Sequence, residues 1–331
     1  MKKLVSILLI SAMVLTLLVF TGCQKDAPLK LGLGVSVSAN ATDATEDKAG
    51  QGQATTTAAA VLVDGNGKIV KAFIDCADNN VGFTADGKAV KNDSFTTKYE
   101  KGDSYGMTNP AYGGTATKEW FEQADAFCAL IVGKTAAEVT ALVAENAKGT
   151  DEVLNAGCTI YVSDFAKAVE KAIANATESG ATKNDTLKLG VYTSQSITDA
   201  TEDRAGSNKV ETYLFAAAVN AEGKVTAASS DCVEVSFGFD LTGKTNFDAS
   251  KGILSKKEKG DNYGMANPAY GGTATKEWYQ QAAAFDAACL GKTASEITGL
   301  MGADYKGNAD LQAAGCTIYV SGFVAAASKI G

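Results

Sequence analysis

Residues 101–120 read KGDSYGMTNPAYGGTATKEW, and residues 259–278 read KGDNYGMANPAYGGTATKEW. Only two aligned positions differ, Ser104/Asn262 and Thr108/Ala266. Shorter matches continue in the same order on both sides: 43–47 with 199–203, 133–135 with 291–293, and 156–163 with 314–321. Self-similarity at one nearly constant separation is typical of an internal duplication. The sequence therefore predicts two tandem copies of one domain of roughly 150 residues.

The matches set the expected boundaries of the two copies. We expect the first repeat to span 30–174 and the second to span 187–331. The segment 175–186 between them is polar and small, which predicts a short flexible linker. Divergence is uneven, because 71–74 and 227–230 share little while the blocks quoted above are nearly identical. This contrast indicates that something specific holds the retained blocks.

The first half of each repeat predicts antiparallel β-structure. In the first repeat, 58–63 and 69–74 flank the turn sequence Asp-Gly-Asn-Gly at 64–67, which favours a β-hairpin. A second short hairpin is expected around 81–83 and 86–88. The Gly-rich block 102–114 is incompatible with a regular element, so we expect a structured loop there.

The second half of the repeat predicts helices. One is expected to begin near Thr115 or Thr117, with these apolar positions at helical spacing: Trp120, Phe121, Ala124, Phe127, Cys128 and Ile131. Gly133 is expected to end it, and Thr135 to cap a second helix that runs through Val143.

A strand and a closing helix are expected at the end of the repeat. Residues 158–162 predict a strand, and Ser163 is expected to cap a last helix. The apolar positions of that helix are Phe165, Ala168, Val169, Ala172 and Ile173. The predicted fold class is α+β, with an antiparallel sheet and helices packed on one of its faces.

The N-terminus has the features of a lipoprotein signal. Lys2 and Lys3 precede an apolar run from 4 to 20, and small residues lead to Cys23. We expect a signal peptide over 1–22, acylation of Cys23 (for example by palmitate), and a lipid-anchored tether over 23–29. The alternative is an uncleaved membrane helix, although about 17 apolar residues is at the lower limit for a span. The expected location is the extracytoplasmic face of the cell membrane, with the bilayer as a partner.

Composition excludes several classes of function. The net charge is −8 without basic runs, which argues against nucleic acid, because nucleic-acid binding depends on Lys and Arg. The chain has no histidine, which rules out a Ser-His-Asp triad, a Cys-His pair and His-ligated zinc or iron. We expect no metal site. Six cysteines follow Cys23 without a C-x-x-C pair, namely Cys76, Cys128, Cys158, Cys232, Cys289 and Cys316. Buried inert thiols are favoured over disulfides.

The Gly-Cys-Thr block places a hydroxyl, Thr159, beside Gly157 and four residues before the expected helix at Ser163. Backbone N–H groups at a helix N-terminus favour a phosphate, so this arrangement suits a phosphoester at Thr159. Spacing alone fits an ordinary strand threonine beside a helix equally well, and that is the more common case.

The Tyr-Gly-Met block offers aromatic rings and a thioether in both repeats: Tyr105, Met107 and Tyr112, with Tyr263, Met265 and Tyr270 as their counterparts. Such groups suit stacking against a flat ring. The alternative is a small hydrophobic cluster that fixes the loop.

The order of these blocks resembles the FMN-binding domain family, and most closely the flavinylated surface lipoproteins of Gram-positive flavin-based extracellular electron transfer. That family carries Ser-Gly-Ala-Thr before its closing helix, and a flavin transferase esterifies the threonine with FMN. Here Ala156-Gly157-Cys158-Thr159 and Ala314-Gly315-Cys316-Thr317 stand in that place. Ala replaces the family's Ser, and Cys replaces its Ala, in both repeats. The Thr-Ala-Thr at 115–117 and 273–275 is a poorer candidate, because it lies elsewhere in the domain order.

The resemblance implies two FMN groups, one on Thr159 and one on Thr317, with Gly157, Cys158, Gly315 and Cys316 beside them. It implies an electron-transfer flavoprotein rather than an enzyme. Its partners would be the FMN transferase, a membrane electron donor and an extracellular electron acceptor. The alternatives are a flavin-free ligand-binding or adhesion lipoprotein and a purely structural envelope repeat.

Overall fold

The computed structural model describes residues 28–331. The expected signal peptide, Cys23 and all of the tether except its last two residues lie outside the described residues. The described chain is mixed α+β with two antiparallel sheets. The first sheet has the order β4-β3-β2-β1-β5, with β1 Lys30–Thr42, β2 Gly50–Val63, β3 Ile69–Phe83, β4 Ala89–Val90 and β5 Thr177–Glu178. The second has the order β6-β7-β8, with β6 Thr186–Thr198, β7 Gly206–Val219 and β8 Val225–Phe239.

Both predicted hairpins are confirmed. In the β2–β3 turn, one carboxylate oxygen of Asp64 accepts the backbone N–H groups of Asn66 and Lys68, each at 2.9 Å. Gly67 completes the turn with a φ of +74°, a value that favours glycine. The second hairpin joins β3 to β4. The sequence pattern did not reveal β1, which pairs with β2 along its whole length.

Ten helices, most of them short, accompany the sheets in the part of the chain that is described. They are α1 Lys98–Lys101, α2 Trp120–Ile131, α3 Ala136–Thr140, α4 Asp151–Asn155, α5 Ser163–Ala174, α6 Lys256–Lys259, α7 Trp278–Cys289, α8 Ala294–Ile297, α9 Ala309–Ala313 and α10 Ser321–Ser328. Between 28 and 331, no helix has the length and apolar character needed to cross a bilayer.

The predicted starts and ends of the first two long helical segments need correction. Helix α2 begins at Trp120 and not near Thr115 or Thr117, because the N–H of Ala116 is bonded to the carbonyl of Met107 in the preceding loop. Thr135 caps α3 as predicted, through a capping box with Glu138, but the helix ends at Thr140 and not at Val143.

The predicted strand 158–162 is wrong. Its backbone donors have partners in neighbouring loops and helix ends: the N–H of Cys158 bonds the carbonyl of Val153, and that of Val162 bonds the carbonyl of Ala147. Only Tyr161 forms an isolated bridge within this segment. Ser163 is the first residue of α5 and its side chain does not cap it, since the cap position is Val162. The β-branched run therefore reflects burial of alternate side chains and not sheet pairing.

The inner faces of the two sheets pack against each other and share one hydrophobic core. Its largest contributors from the first sheet are Leu31, Leu33 and Val35, and from the second Val191, Leu214 and Phe237. The helices cover the outer faces, where two further clusters lie. Each sheet thus has helices on one face, as predicted, and the other sheet on its opposite face.

The segment 175–186 is packed rather than flexible. Its β5 pairs with β1 at Leu31 and Lys30. Ala181 is fully buried in the core between the sheets, and its carbonyl accepts the N–H of Leu29 at 2.9 Å. The polar groups of the segment therefore form hydrogen bonds within the protein and do not rely on solvent alone.

Contacts between the repeats are reciprocal, so that equivalent residues make equivalent contacts in both directions. The pairs are Ala44 N–H to Gly243 O with Ala200 N–H to Gly87 O, Thr245 N–H to Asp43 with Ala89 N–H to Asp199, and Lys171–Glu258 with Lys329–Glu100. Such self-complementarity is the property of an isologous two-fold interface, realised here within one chain.

Candidate functional site

A cavity of about 670 Å³ opens on the outer, helix-covered side of the second sheet. Three of the residues singled out from the sequence line it: Tyr263, Met265 and Thr317. Trp278 and Tyr319 add two more aromatic rings. The Tyr-Gly-Met loop and the Gly-Cys-Thr segment are far apart in the sequence of the second repeat, but the fold brings them together at one site.

Thr317 is exposed, and the buried side chain of Gln281 fixes the orientation of its hydroxyl group. Both its backbone N–H and its Oγ1 donate to Oε1 of Gln281, at 2.8 and 3.0 Å. Gln281 is 1% exposed, and its amide nitrogen donates to the carbonyl of Lys276 at 3.0 Å. A buried amide thus holds the threonine while leaving the hydroxyl lone pairs accessible.

Gly315 has a φ of +95°, in the region that favours glycine. A Cβ at this position would also overlap the ammonium group of Lys276, which bonds the carbonyl of Ala314 at 3.0 Å. Glycine therefore lets a cation lie directly over the turn that precedes Thr317. Cys316 is fully buried and does not line the cavity, and burial raises the pKa of its thiol to about 11.

The Tyr-Gly-Met loop is fastened by a buried carboxylate. Glu277 accepts the N–H groups of Met265 and Ala266, at 3.0 and 2.9 Å, and precedes helix α7 as its cap residue. This explains why the retained block ends in Lys-Glu-Trp. Tyr270 is 67% exposed and lies outside the cavity lining, with its ring against Gly264.

The sequence did not reveal the charged residues of the cavity. The ammonium group of Lys256, whose side chain is 8% exposed, lies 2.8 Å from Glu211 and 3.2 Å from Glu234. It also lies 5.6 Å from the ring centroid of Tyr263. Burial alone would lower the pKa of Lys256, but the hydrogen bond to Glu211 and the charge of that carboxylate outweigh burial and raise it. The lysine therefore stays cationic. In the sequence, Lys256 stands out only because the equivalent position of the first repeat, Lys98, is also a lysine.

The equivalent threonine of the first repeat makes the same hydrogen bonds. Thr159 is exposed, and its N–H and Oγ1 donate to Oε1 of Gln123 at 2.8 and 3.0 Å. Gly157 has a φ of +94°, and a Cβ there would overlap the ammonium group of Lys118. Cys158 is fully buried.

The aromatic residues of the first repeat divide in the same way as those of the second. Tyr105 and Met107 are half-buried and pack on the helix cluster. The amide of Gln123 reaches the sulfur of Met107 at 3.9 Å, which links the loop to Thr159. Tyr112 is 76% exposed and stands away from this group. The structure thus links Met107 to Thr159 through Gln123, and places Tyr105 in the same loop as Met107.

All six described cysteines are buried and none is in a disulfide. Burial raises the pKa of Cys76 and of Cys158 to about 11, which keeps both as thiols at neutral pH. This agrees with the expectation of inert thiols, and it leaves the exposed threonines as the nucleophilic groups of the site.

The cavity combines aromatic rings, a thioether, buried and half-buried lysines, two carboxylates and a threonine hydroxyl. This chemistry suits an anionic ligand that carries a flat ring. No known protein family, curated protein or solved structure that was compared with the chain matches it. The function of the cavity therefore has to follow from its own chemistry and geometry.

Proposed function

We propose that the protein is a lipid-anchored extracytoplasmic electron carrier in which each repeat is one tandem FMN-binding domain. FMN would be esterified to Thr159 in the first repeat and to Thr317 in the second. The observation that carries this proposal is the exposed hydroxyl of Thr317 at the edge of a cavity lined by Tyr263, Trp278 and Tyr319. A flat ring and a phosphate on one ligand match these two parts of the site.

The residues present fit FMN in size and chemistry. A cavity of about 670 Å³ lies within the usual range for small-molecule sites, roughly 300–1,000 Å³. Four aromatic side chains and Met265 provide apolar contact for a ring system: Tyr213, Tyr263, Trp278 and Tyr319. Lys276 over Gly315 and Lys306 in the cavity lining supply positive charge for a phosphate.

When bound, FMN supplies the one- and two-electron chemistry, while the protein supplies attachment and orientation. Gln281 would hold Thr317 so that its oxygen faces the ligand phosphate. Lys256 lies beneath Tyr263 with its charge compensated by Glu211 and Glu234, so the ligand phosphate would depend on Lys276 and Lys306. These roles involve binding and positioning, and none requires the chain to act as a catalyst.

The proposal includes the anchor and the partners. Acylated Cys23 would tether the first repeat close to the bilayer through the short segment 23–29, near a membrane electron donor. An FMN transferase would modify both threonines, and an extracellular acceptor would receive the electrons.

The test is the intact mass and visible absorbance of the full chain made in a host that carries the transferase. We expect two FMN additions, reduced to one by Thr159→Ala or Thr317→Ala and to none by both. Ser163→Ala is the matched control. It removes a hydroxyl that lies next to the motif but is not the attachment site, so both FMN additions should remain. A wild-type mass equal to that of the bare lipidated polypeptide would contradict covalent attachment.

A flavin-free binding or adhesion protein is the second candidate. It is favoured by five exposed tyrosines: Tyr112 at 76%, Tyr161 at 66%, Tyr270 at 67%, Tyr305 at 61% and Tyr319 at 62%. Exposed aromatic side chains suit contact with a glycan or another protein. Binding to a glycan array that is lost in Tyr112→Ala/Tyr270→Ala, with no FMN on the chain, would support this function.

A further inference from the structure

The two repeats differ at one wall of the site, where Tyr213 faces Gly322. Tyr213 lines the cavity of the second repeat, and its ring packs edge-on against Phe323 with centroids 5.3 Å apart. A Cβ at Gly322 would overlap this ring. The glycine therefore makes room for an aromatic wall.

The first repeat has Thr57 and Asp164 at the equivalent positions. The carboxylate of Asp164 accepts the hydroxyl of Ser36 at 2.8 Å, and Ser36 is the strand partner of Thr57. A carboxylate thus takes the place that the ring of Tyr213 occupies in the second repeat. Lys167 lies 3.6 Å from Asp164, but its side chain is 64% exposed, so water screens the pair and leaves much of the negative charge effective.

The other charges of the wall do not offset this difference. In the second repeat, Lys209 and Glu211 replace the neutral Gln53 and Thr55, and they lie 3.5 Å apart as an ion pair. Their charges compensate each other. The exposed ion pair of Asp164 and Lys167 therefore remains the charge difference between the two sites, with the carboxylate held on Ser36.

We infer that the two repeats are unequal sites, and that Tyr213 with Gly322 makes the second repeat the tighter site for an anionic ligand with a flat ring, whereas Thr57 with Asp164 makes the first repeat weaker. The inference rests on the proposed function, because it takes both sites to bind the same ligand. The aromatic wall adds stacking area in one site, and the carboxylate repels a phosphate-bearing ligand in the other.

The test is fluorescence titration of the unloaded full chain, made in a host without the transferase, with FMN as the probe. We expect two binding steps, with the tighter one lost in Tyr213→Thr/Gly322→Asp. This double variant copies the first repeat and avoids the overlap between a side chain at 322 and the tyrosine ring. Thr57→Tyr/Asp164→Gly copies the second repeat and should bring the two steps together.

Asp164→Asn separates charge from packing, since the amide keeps a group that can accept the Ser36 hydroxyl. The affinity of the weaker step for FMN should rise on the order of tenfold. The affinity for riboflavin, which lacks the phosphate, should rise by less. The melting temperature of each variant shows whether it has folded. Two equal steps in the wild type, or a tighter first repeat, would overturn the inference and leave the proposed function standing. Absence of FMN binding in the folded wild type would overturn both.

Discussion

Phe83 and Phe239 stack face to face between the two sheets, with ring centroids 4.6 Å apart and planes within 4° of parallel. They occupy equivalent positions in the two repeats, at the ends of β3 and β8, and both are essentially fully buried. A residue that contacts its own counterpart lies at the two-fold axis of an isologous interface. The two repeats therefore contact each other about a pseudo-two-fold axis, where this stack forms a small cluster with Ala44 and Ala200 beside the larger core that both sheets share.

The stack predicts that the two repeats unfold together. Phe239→Ala removes a fully buried ring and should lower the free energy of unfolding by about 3–5 kcal/mol. Because the core is shared, denaturant unfolding should remain one transition and move as a whole. Val132→Ala, at a half-exposed position, is the control and should change stability by less than about 0.5 kcal/mol. Two separate transitions, only one of them shifted, would show that the repeats fold independently.

A second prediction concerns pH. Burial raises the pKa of Asp75 and of Asp231 to about 6, although each accepts backbone N–H groups from its neighbour and from a short helix. Their pKa in the unfolded chain is about 3.9. The folded state therefore holds these protons more tightly, and the stability they contribute is complete below about pH 4 and lost as pH rises through 6.

The measurement is the unfolding free energy of Asp75→Asn relative to wild type between pH 4 and pH 8. Asparagine keeps an oxygen acceptor and does not titrate. From pH 4 to pH 8, the unfolding free energy of the variant should rise relative to that of the wild type by on the order of 2 kcal/mol. Asp64→Asn is the control, because hydrogen bonding to the turn lowers the pKa of Asp64, so its titration lies below this range and the difference should stay flat between pH 4 and pH 8. A flat difference for Asp75→Asn would rule out the raised pKa.

The third prediction uses a difference between the helices α2 and α7. Asp286 is buried, and within residues 28–331 its Oδ1 has no hydrogen-bond partner, while Oδ2 accepts the N–H of Ser230 at 3.1 Å. Burial raises the pKa of Asp286. The equivalent residue of the first repeat is Cys128. Asp286→Cys should therefore stabilise the chain at neutral pH by about 1–3 kcal/mol, because it removes an unsatisfied buried acceptor.

Thermal unfolding at pH 7 and pH 4 checks this prediction. The gain should shrink at the lower pH, because the raised pKa of Asp286 favours its neutral form in the folded chain as pH falls. Cys128→Asp is the reciprocal variant and should destabilise the first repeat. If Asp286→Cys lowers the melting temperature at both values, the orphaned oxygen is not a source of instability.

Sequence patterns predicted the turns and caps of this fold better than its strands. The Asp-Gly-Asn-Gly turn and the Thr135 cap depend on local chemistry, and both are present. The extent of β2 was underestimated at its start: 50–57 alternates between buried and more exposed positions, but the buried ones include Gly50, Gly52 and Ala54, which give no hydrophobic alternation in the sequence. The segment 158–162 misled for a related reason: its apolar pattern follows burial against helices.

The candidate site was only partly visible for the same physical reason. Identity between the repeats located the loops around Tyr263 and Thr317, since both are fixed by local contacts. Lys256 and Glu211 come together only when α6 packs on the sheet, against β8, and no short motif encodes that contact. Gln281 could have been noticed, because a glutamine recurs at the same position in both repeats on an otherwise apolar helix face.

The last prediction concerns the threonine orientation. Gln281→Leu removes the acceptor that holds both the N–H and the hydroxyl of Thr317, so the hydroxyl is free to rotate and the N–H loses its buried partner. We expect the FMN addition at Thr317 to fall at least tenfold in rate, while the addition at Thr159 is unchanged. Time-resolved intact mass with the transferase measures both in one sample. Gln281→Glu, which keeps an acceptor oxygen for Thr317 and loses only the donor to the carbonyl of Lys276, should retain most of the modification at Thr317. A folded Gln281→Leu protein modified as fast as wild type would show that the transferase, and not the buried amide, orients the hydroxyl.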